Sequence, residues 1–222
     1  MVELLVVIAI ILALTSFAII GITKAKSKAN QAACMNNMRQ IGMALQLYAN
    51  DNSGVYPLTS HSTSEDQTWV FLLEDYIKNF DEVRICPADP KGKERRLAGG
   101  TSYILNSFVF VPPVDAFGEP DGPANNRPGN LYEPSRTITT FCCSDNIGVR
   151  SGDDHTHSDR WSSWSSVCAD IATNRHGTVK NDPLKGSSNY LFADGHVENW
   201  TAMEVKSRIE SGDNIATVPV RP

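Results

Sequence analysis

The chain has 222 residues, enough for one globular domain plus an accessory segment. Its formal net charge of −5 gives no reason to expect a nucleic-acid surface. The five cysteines, Cys34, Cys86, Cys142, Cys143 and Cys168, contain no CxxC pair, which disfavours a thiolate zinc site or a thioredoxin-like motif. In a head outside the cytoplasm they allow up to two disulfides and leave one odd thiol.

From Leu4 to Ile22 no residue is charged, and the polar positions are only Thr15, Ser16 and Gly21. A run of about 19 apolar residues is long enough to cross a bilayer core as a helix. A cleaved secretory signal needs a basic n-region and a shorter apolar region. A buried core helix would be unusually uniform, so the expectation is a membrane-spanning helix. Glu3 is the anomaly: a carboxylate beside an apolar span is costly unless it is paired, or unless it sits where headgroup water solvates it. Lys24, Lys26 and Lys28 follow the span, and the positive-inside rule alone would place the C-terminal side in the cytoplasm.

The stretch MVELLVVIAIILAL resembles the start of type IV prepilins, which reads FTLIELLVVIAII after the peptidase cut. The resemblance implies cleavage by a prepilin peptidase, methylation of the new N-terminus and a head held outside the cytoplasm. In that family a glutamate pairs with the N-terminal amine of a neighbouring subunit inside the filament. Glu3 matches it, and a carboxylate buried in an apolar bundle is tolerable only with such a partner. The family's basic leader, its glycine and its first two mature residues would stand upstream of Met1. That leaves a misplaced start, a truncated form or lost processing as readings. Ile20 occupies the place of the family's helix-kinking proline, with Gly21 beside it as a source of local flexibility.

Past Ile22 the pattern becomes amphipathic. Cys34, Met38, Ile41, Leu45 and Tyr48 fall on one helical face. Asp51 to Gly54 supply stop chemistry and Pro57 the exit. Residues 4 to 50 predict one helix of roughly 70 Å. The segment CMNNMRQIGMALQLYANDNSGVYP resembles the CxNNLKQIGLAxxxYxxDNxGxYP stretch of a pilin-like family common in Planctomycetes, Verrucomicrobia and Lentisphaerae.

In the head, Thr68 to Asn79 reads as a short helix with Trp69, Leu72, Leu73, Tyr76 and Ile77 inward. Val83 to Asp89 resembles the family's FxCPxD element. Because Cys34 and Cys86 both lie in family motifs, the resemblance suggests a Cys34–Cys86 disulfide tying helix to head, with two buried free thiols as the alternative. Ser102 to Asn106 matches the family's SYxxN and, with Phe108 to Phe110, reads as a strand. Residues 112–134 are rich in Gly, Pro and Asn and read as a surface loop. Arg136 to Cys143 is the next strand. Asn189 to Ala193 and His196 to Trp200 flank Asp194-Gly195, which predicts a hairpin closed by a type I′ turn.

The string NYLFADGHVE resembles the family's C-terminal signature, a His followed at a distance by Asp-Gly. Asp194, Gly195 and His196 make the signature turn, and His176 is the expected upstream His. Ala202 to Ile209 predicts a closing helix and the tail from Ser211 is loose. The one candidate chemical cluster is Asp153, Asp154, His155, His157 and Asp159. Carboxylates favour calcium and imidazoles favour zinc or copper. The spacing fits no EF-hand and the surroundings suggest a solvated loop, but related pseudopilins hold calcium in their heads.

These readings converge on an α+β, pilin-like fold: a long N-terminal α-helix, transmembrane then amphipathic, packed on a small antiparallel β-sheet head. Residues 1–23 form the transmembrane or filament-core half, 24–54 the amphipathic half, and 55–222 the head. The expected function is structural rather than enzymatic, a subunit of a type IV pilus-like or type II secretion pseudopilus filament. The expected partners are like subunits, the inner-membrane assembly machinery and the prepilin peptidase. The chain would rest in the bacterial inner membrane before joining a periplasmic or cell-surface filament. Expected cofactors are none, or calcium. The alternative is a membrane-anchored periplasmic metal-dependent enzyme or binding protein; no GxSxG, HExxH or P-loop supports it.

Overall fold

The structure, a computed structural model, describes residues 2–60, 64, 67–113, 125–177 and 182–221; the side chains at 13 and 16–20 also lie outside the description. The first element, α1 (Val2–Asp51), is a single helix of 50 residues, about 75 Å at the usual rise. It contains no proline, and it runs unbroken through Gly21. Thr15 turns its hydroxyl back onto its own helix, donating to Ile11 O at 2.9 Å, so it does not interrupt the apolar surface. The helix stops where Ser53 and Gly54 enter the left-handed region, with φ of 57° and 74°.

The two halves of α1 have different surroundings. Val2 to Leu12 are exposed throughout, and so are Leu14 and Ile22. From Cys34 onward a stripe of Cys34, Met38, Ile41, Ala44, Leu45 and Ala49 is buried. Tyr48 sits half-buried at its edge, in edge-to-face contact with Tyr76. Among the described residues no helix is long and apolar enough to cross a membrane. The apolar run of the sequence includes the side chains at 13 and 16–20 that lie outside the description.

Four strands, β1 (Tyr103–Leu105), β2 (Ile138–Cys142), β3 (Ser187–Phe192) and β4 (Val197–Thr201), form an antiparallel sheet in the order β1-β2-β3-β4. The chain is thus α+β, with a long N-terminal helix on an antiparallel sheet, as expected. The buried stripe of α1 lies over β3. At the crossing, a Cβ on Gly42 would stand 2.9 Å from Leu191 Cδ1, so glycine allows the close approach. One core fills this face, joining the α1 stripe to Leu105, Cys142, Leu191 and Val197, with Trp69, Leu73 and Phe110 completing it. A second core fills the opposite face, where α6 (Trp164–Asp170) and α7 (Ala202–Glu210) cover Phe141, Tyr190, Phe192 and Trp200.

β2 is buried on both faces, and its register shifts between Ile138 and Thr140. Side chains alternate strictly along a regular strand, so Ile138 and Phe141 would point to opposite faces. The bulge puts both into the second core and leaves Cys142 facing α1.

Short helices fill the connections: α2 (Trp69–Leu72), α3 (Phe80–Val83), α4 (Gly92–Leu97) and α5 (Ser107–Phe110). Three expectations change. The helix read over 68–79 is broken into α2 and a 3-10 turn at Glu74–Tyr76; Trp69, Leu73 and Ile77 are buried, but Leu72 and Tyr76 only half so. Phe108 to Phe110 do not extend β1, because the Asn106 side chain accepts from Phe108 N at 3.1 Å and caps α5 instead. The β3–β4 turn is not type I′. Gly195 N donates to Phe192 O at 2.9 Å, and Gly195 alone in the turn has positive φ, at 90°. Phe192 N donates in turn to His196 O. That is a type I turn closed by a glycine bulge, in which Asp194 keeps ordinary φ. Of the loop read over 112–134, residues 114–124 lie outside the description; 3-10 turns occupy Pro128–Asn130 and Pro134–Arg136, and Leu131 is buried.

Candidate functional site

Two regions carry candidate function: the exposed start of α1, and a buried cluster where α1 meets the head. At the first, Glu3 is exposed in the opening turn of α1, where a carboxylate complements the positive end of the helix dipole.

The second is assembled from four separate segments. Cys34 opens the buried stripe of α1. Cys86 lies just past α3. Cys142 ends β2, aimed at α1 by the bulge. His176 lies in a turn past α6, its backbone N–H donating to Ser187 O at 2.8 Å. All four side chains are buried, and one ligand atom from each lies within 4.8 Å of the others. Cys34 Sγ and Cys142 Sγ are 3.7 Å apart.

Polar residues of α1 hold this junction together. Asn37 Nδ2 donates to Ile85 O at 3.1 Å and Asn30 Nδ2 to Pro87 O at 3.4 Å, one on each side of Cys86. Asn189 Nδ2 on β3 donates to Gln31 O at 3.0 Å and lies 3.4 Å from His176 Nε2. His176 Nδ1 is buried without a hydrogen-bond partner.

Beside the cluster is a buried ion network centred on Asp89, three residues after Cys86. Asp89 pairs with Arg95 Nε at 3.0 Å and with Arg175 Nη1 at 3.8 Å. Arg95 also donates to Ser144 O and Ile147 O, and Arg175 Nη1 reaches Asp145 at 2.7 Å. The segments that carry Cys86 and His176 therefore also carry the ion pairs that lock them in place. A cleft of about 1060 Å³ opens alongside, lined by Lys26, Asn30, Pro87, Asp89, Arg175 and His176 among others.

The electrostatics single out Cys142. Hydrogen bonds from Cys34 and Cys86 hold its thiol well below the usual range against the effect of burial, and His176 adds to this. Burial pushes the Cys34 and Cys86 thiols up, and their interactions with Cys142 push in the same direction. Burial also raises Tyr103, and the same three thiols beside it push in the same direction. Burial works against the Arg175 charge, but Asp89, Cys142, Cys143 and Asp145 outweigh it and its pKa is raised. The arrangement is a thiolate-favouring point with two further thiols and an imidazole around it, in a buried site.

The sequence-based candidates are distributed differently. Cys34 and Cys86 do meet, but both are free thiols and each also faces Cys142 and His176. Within Asp153, Asp154, His155, His157 and Asp159, no three offer ligand atoms to a common centre among the described residues. Asp154 is instead fully buried as a structural acceptor: Ser60 N and Ser60 Oγ donate to it, at 3.1 and 2.8 Å, and His155 Nδ1 lies 2.8 Å away. Its backbone bridges the free edge of β1, with Leu105 N donating to Asp154 O at 2.9 Å. His157 leans toward Asp170, and Asp159 is exposed near Arg160. Asp194, Gly195 and His196 form the turn described above, where Asp194 Oδ1 accepts from His196 N and the imidazole stacks on Phe192. No protein-family model matches this chain, and neither a curated protein nor a solved structure shows significant similarity to it.

Proposed function

We propose that this protein is a structural, non-enzymatic subunit of a type IV pilus-like or pseudopilus filament, with a pilin-like arrangement of helix and head. The observation that carries this reading is the division of α1. One unbroken helix buries its second half in the head and presents an apolar first half that the head leaves exposed. Apolar surface on that scale is costly in water, at about 25 cal/mol per Å². Lipid before assembly, and the same helix of neighbouring subunits after it, are the two environments that relieve this cost. In this reading the chain waits in the inner membrane with its head outside the cytoplasm. It is processed by a prepilin peptidase, is drawn out by the assembly machinery and is buried again against its copies.

Glu3 then has a specific task. Inside a bundle of apolar helices its carboxylate needs a cationic partner, and the N-terminal amine of an adjacent subunit supplies one at a single axial offset. Glu3→Ala is expected to leave a folded subunit in the membrane fraction and to remove it from sheared filaments. The measurement is immunoblotting of both fractions, and filaments formed normally by the variant would overturn the assignment.

A further inference from the structure

We propose that Cys34, Cys86, Cys142 and His176 are the ligands of one structural zinc ion that fastens the long helix to the head. The assignment stands independently of the filament reading, because all four ligands lie in the head or in the part of α1 buried against it.

The donor set comes first. Three cysteines and one histidine are an established ligand combination for structural zinc, and soft thiolates with an imidazole in a tetrahedral site select zinc over the hard cations. The spacing agrees with that chemistry. With Zn–S bonds of about 2.3 Å, two sulfurs on a tetrahedral centre stand about 3.8 Å apart. Cys34 and Cys142 are 3.7 Å apart, and the whole set lies within 4.8 Å, about 1 Å from closure at its widest.

The surroundings suit an ion rather than a disulfide. A disulfide requires sulfurs at about 2.05 Å and uses only two of the three thiols. It would leave a third thiol and the imidazole buried together, with His176 Nδ1 still unpartnered. A four-coordinate ion engages every member of the cluster. Zinc binding displaces the thiol protons to solvent and changes no oxidation state: three thiolates, a neutral imidazole and Zn²⁺ leave a complex of charge −1. Arg175, the residue before His176, is buried and interacts electrostatically with Cys142, so a cation accompanies the cluster. With all four positions supplied by buried protein groups, no position stays open for water or substrate, so the ion is a fastener and not a reaction centre.

The absence of any CxxC pair, which weighed against a thiolate zinc site in the sequence, does not exclude this one. Local pairs are needed when a short loop must supply two ligands. Here each ligand comes from a different element, and the fold supplies the convergence.

The test uses the full chain, purified in detergent without chelators. Elemental analysis is expected to find a single zinc per chain. Replacement by cobalt is expected to give the thiolate charge-transfer band and the intense visible bands of a tetrahedral sulfur-rich site. Cys142→Ser and His176→Ala are expected to lose the metal, whereas His176→Cys, which keeps four soft ligands, retains it. Cys168→Ser, outside the cluster, also retains it. Removing zinc is expected to lower the melting temperature of the native chain and not that of Cys142→Ser. Should Cys142→Ser fail to fold, the cobalt spectrum of the unaltered chain decides by itself. Metal-free protein with three alkylatable thiols overturns the proposal. So does a non-reduced peptide map linking Cys34 to Cys86 or Cys142, or a metal that survives both Cys142→Ser and His176→Ala.

Discussion

Tyr56 is buried between α1 and the head, its ring stacked on Phe110 and its hydroxyl 2.6 Å from Gln46 Nε2. Burial pushes its pKa from 10 up to about 12, partly offset by the Gln46 hydrogen bond. The folded state therefore favours the neutral phenol more than the unfolded state does. This contribution is complete below pH 10 and is lost as pH rises towards 12, by an amount on the order of 2 kcal/mol. Denaturant titrations at alkaline pH are expected to show this loss in the native chain and a shallower one in Tyr56→Phe. At Asp154 the expectation is the opposite of a calcium site. Asp154→Ala removes the acceptor for both Ser60 donors and is expected to destabilise the fold by about 1–3 kcal/mol with or without calcium. A melting temperature of the native chain that rises on adding calcium would contradict this. The sequence could not make that distinction. Clustered carboxylates and imidazoles look alike whether they hold an ion or tie down a loop, and only the positions of Ser60 and Trp69, far away in the chain, separate the two.

Among the elements, α1 was the most legible, because both its apolar run and its later stripe rest on local periodicity. The stripe at Cys34, Met38, Ile41 and Leu45 is buried as its spacing predicts. β3, β4 and α7 were also legible, since an Asp-Gly turn and a 3.6-residue pattern are short-range signals. Where a side chain competes with the backbone pattern the reading failed: Asn106 caps a helical turn where the apolar residues alone suggested more strand. β2 was read as a strand, but its bulge, which lets residues three apart share a face, has no local signal. That bulge also explains why Cys142 was not joined to Cys34 and Cys86. Cys142 and Cys143 are neighbours in sequence, and nothing local says which of them faces α1. Gly42 marks the tightest contact between helix and sheet. Gly42→Val gains helix propensity but drives a branched side chain into Leu191, which is fully buried and has little room to yield. The net effect expected is a destabilisation of about 1–3 kcal/mol, read as a lower denaturation midpoint with an unchanged slope.

For the molecule as a whole, what matters is the order in which its parts become available. The helix is made first, yet the strand that receives its stripe, β3, and the ligand His176 belong to the last quarter of the chain. Cys34 and Cys142 are 108 positions apart, and the ties from Gln31 to Asn189 and from Gln46 to Ala193 are longer still. Contacts so distant in sequence form slowly, because the intervening chain must close before they contribute. A nascent chain therefore carries an incompletely supported amphipathic segment until β3 has been made. The junction of α1 with the head thus acts as a checkpoint: a chain truncated before His176 lacks both His176 and Leu191 from that junction, its thiols remain open to oxidants and its backbone to proteases. On the filament reading proposed above, only a chain that has made β3 would present a supported helix to its neighbours, so the same close packing that positions Gly42 against Leu191 would also screen out shorter copies.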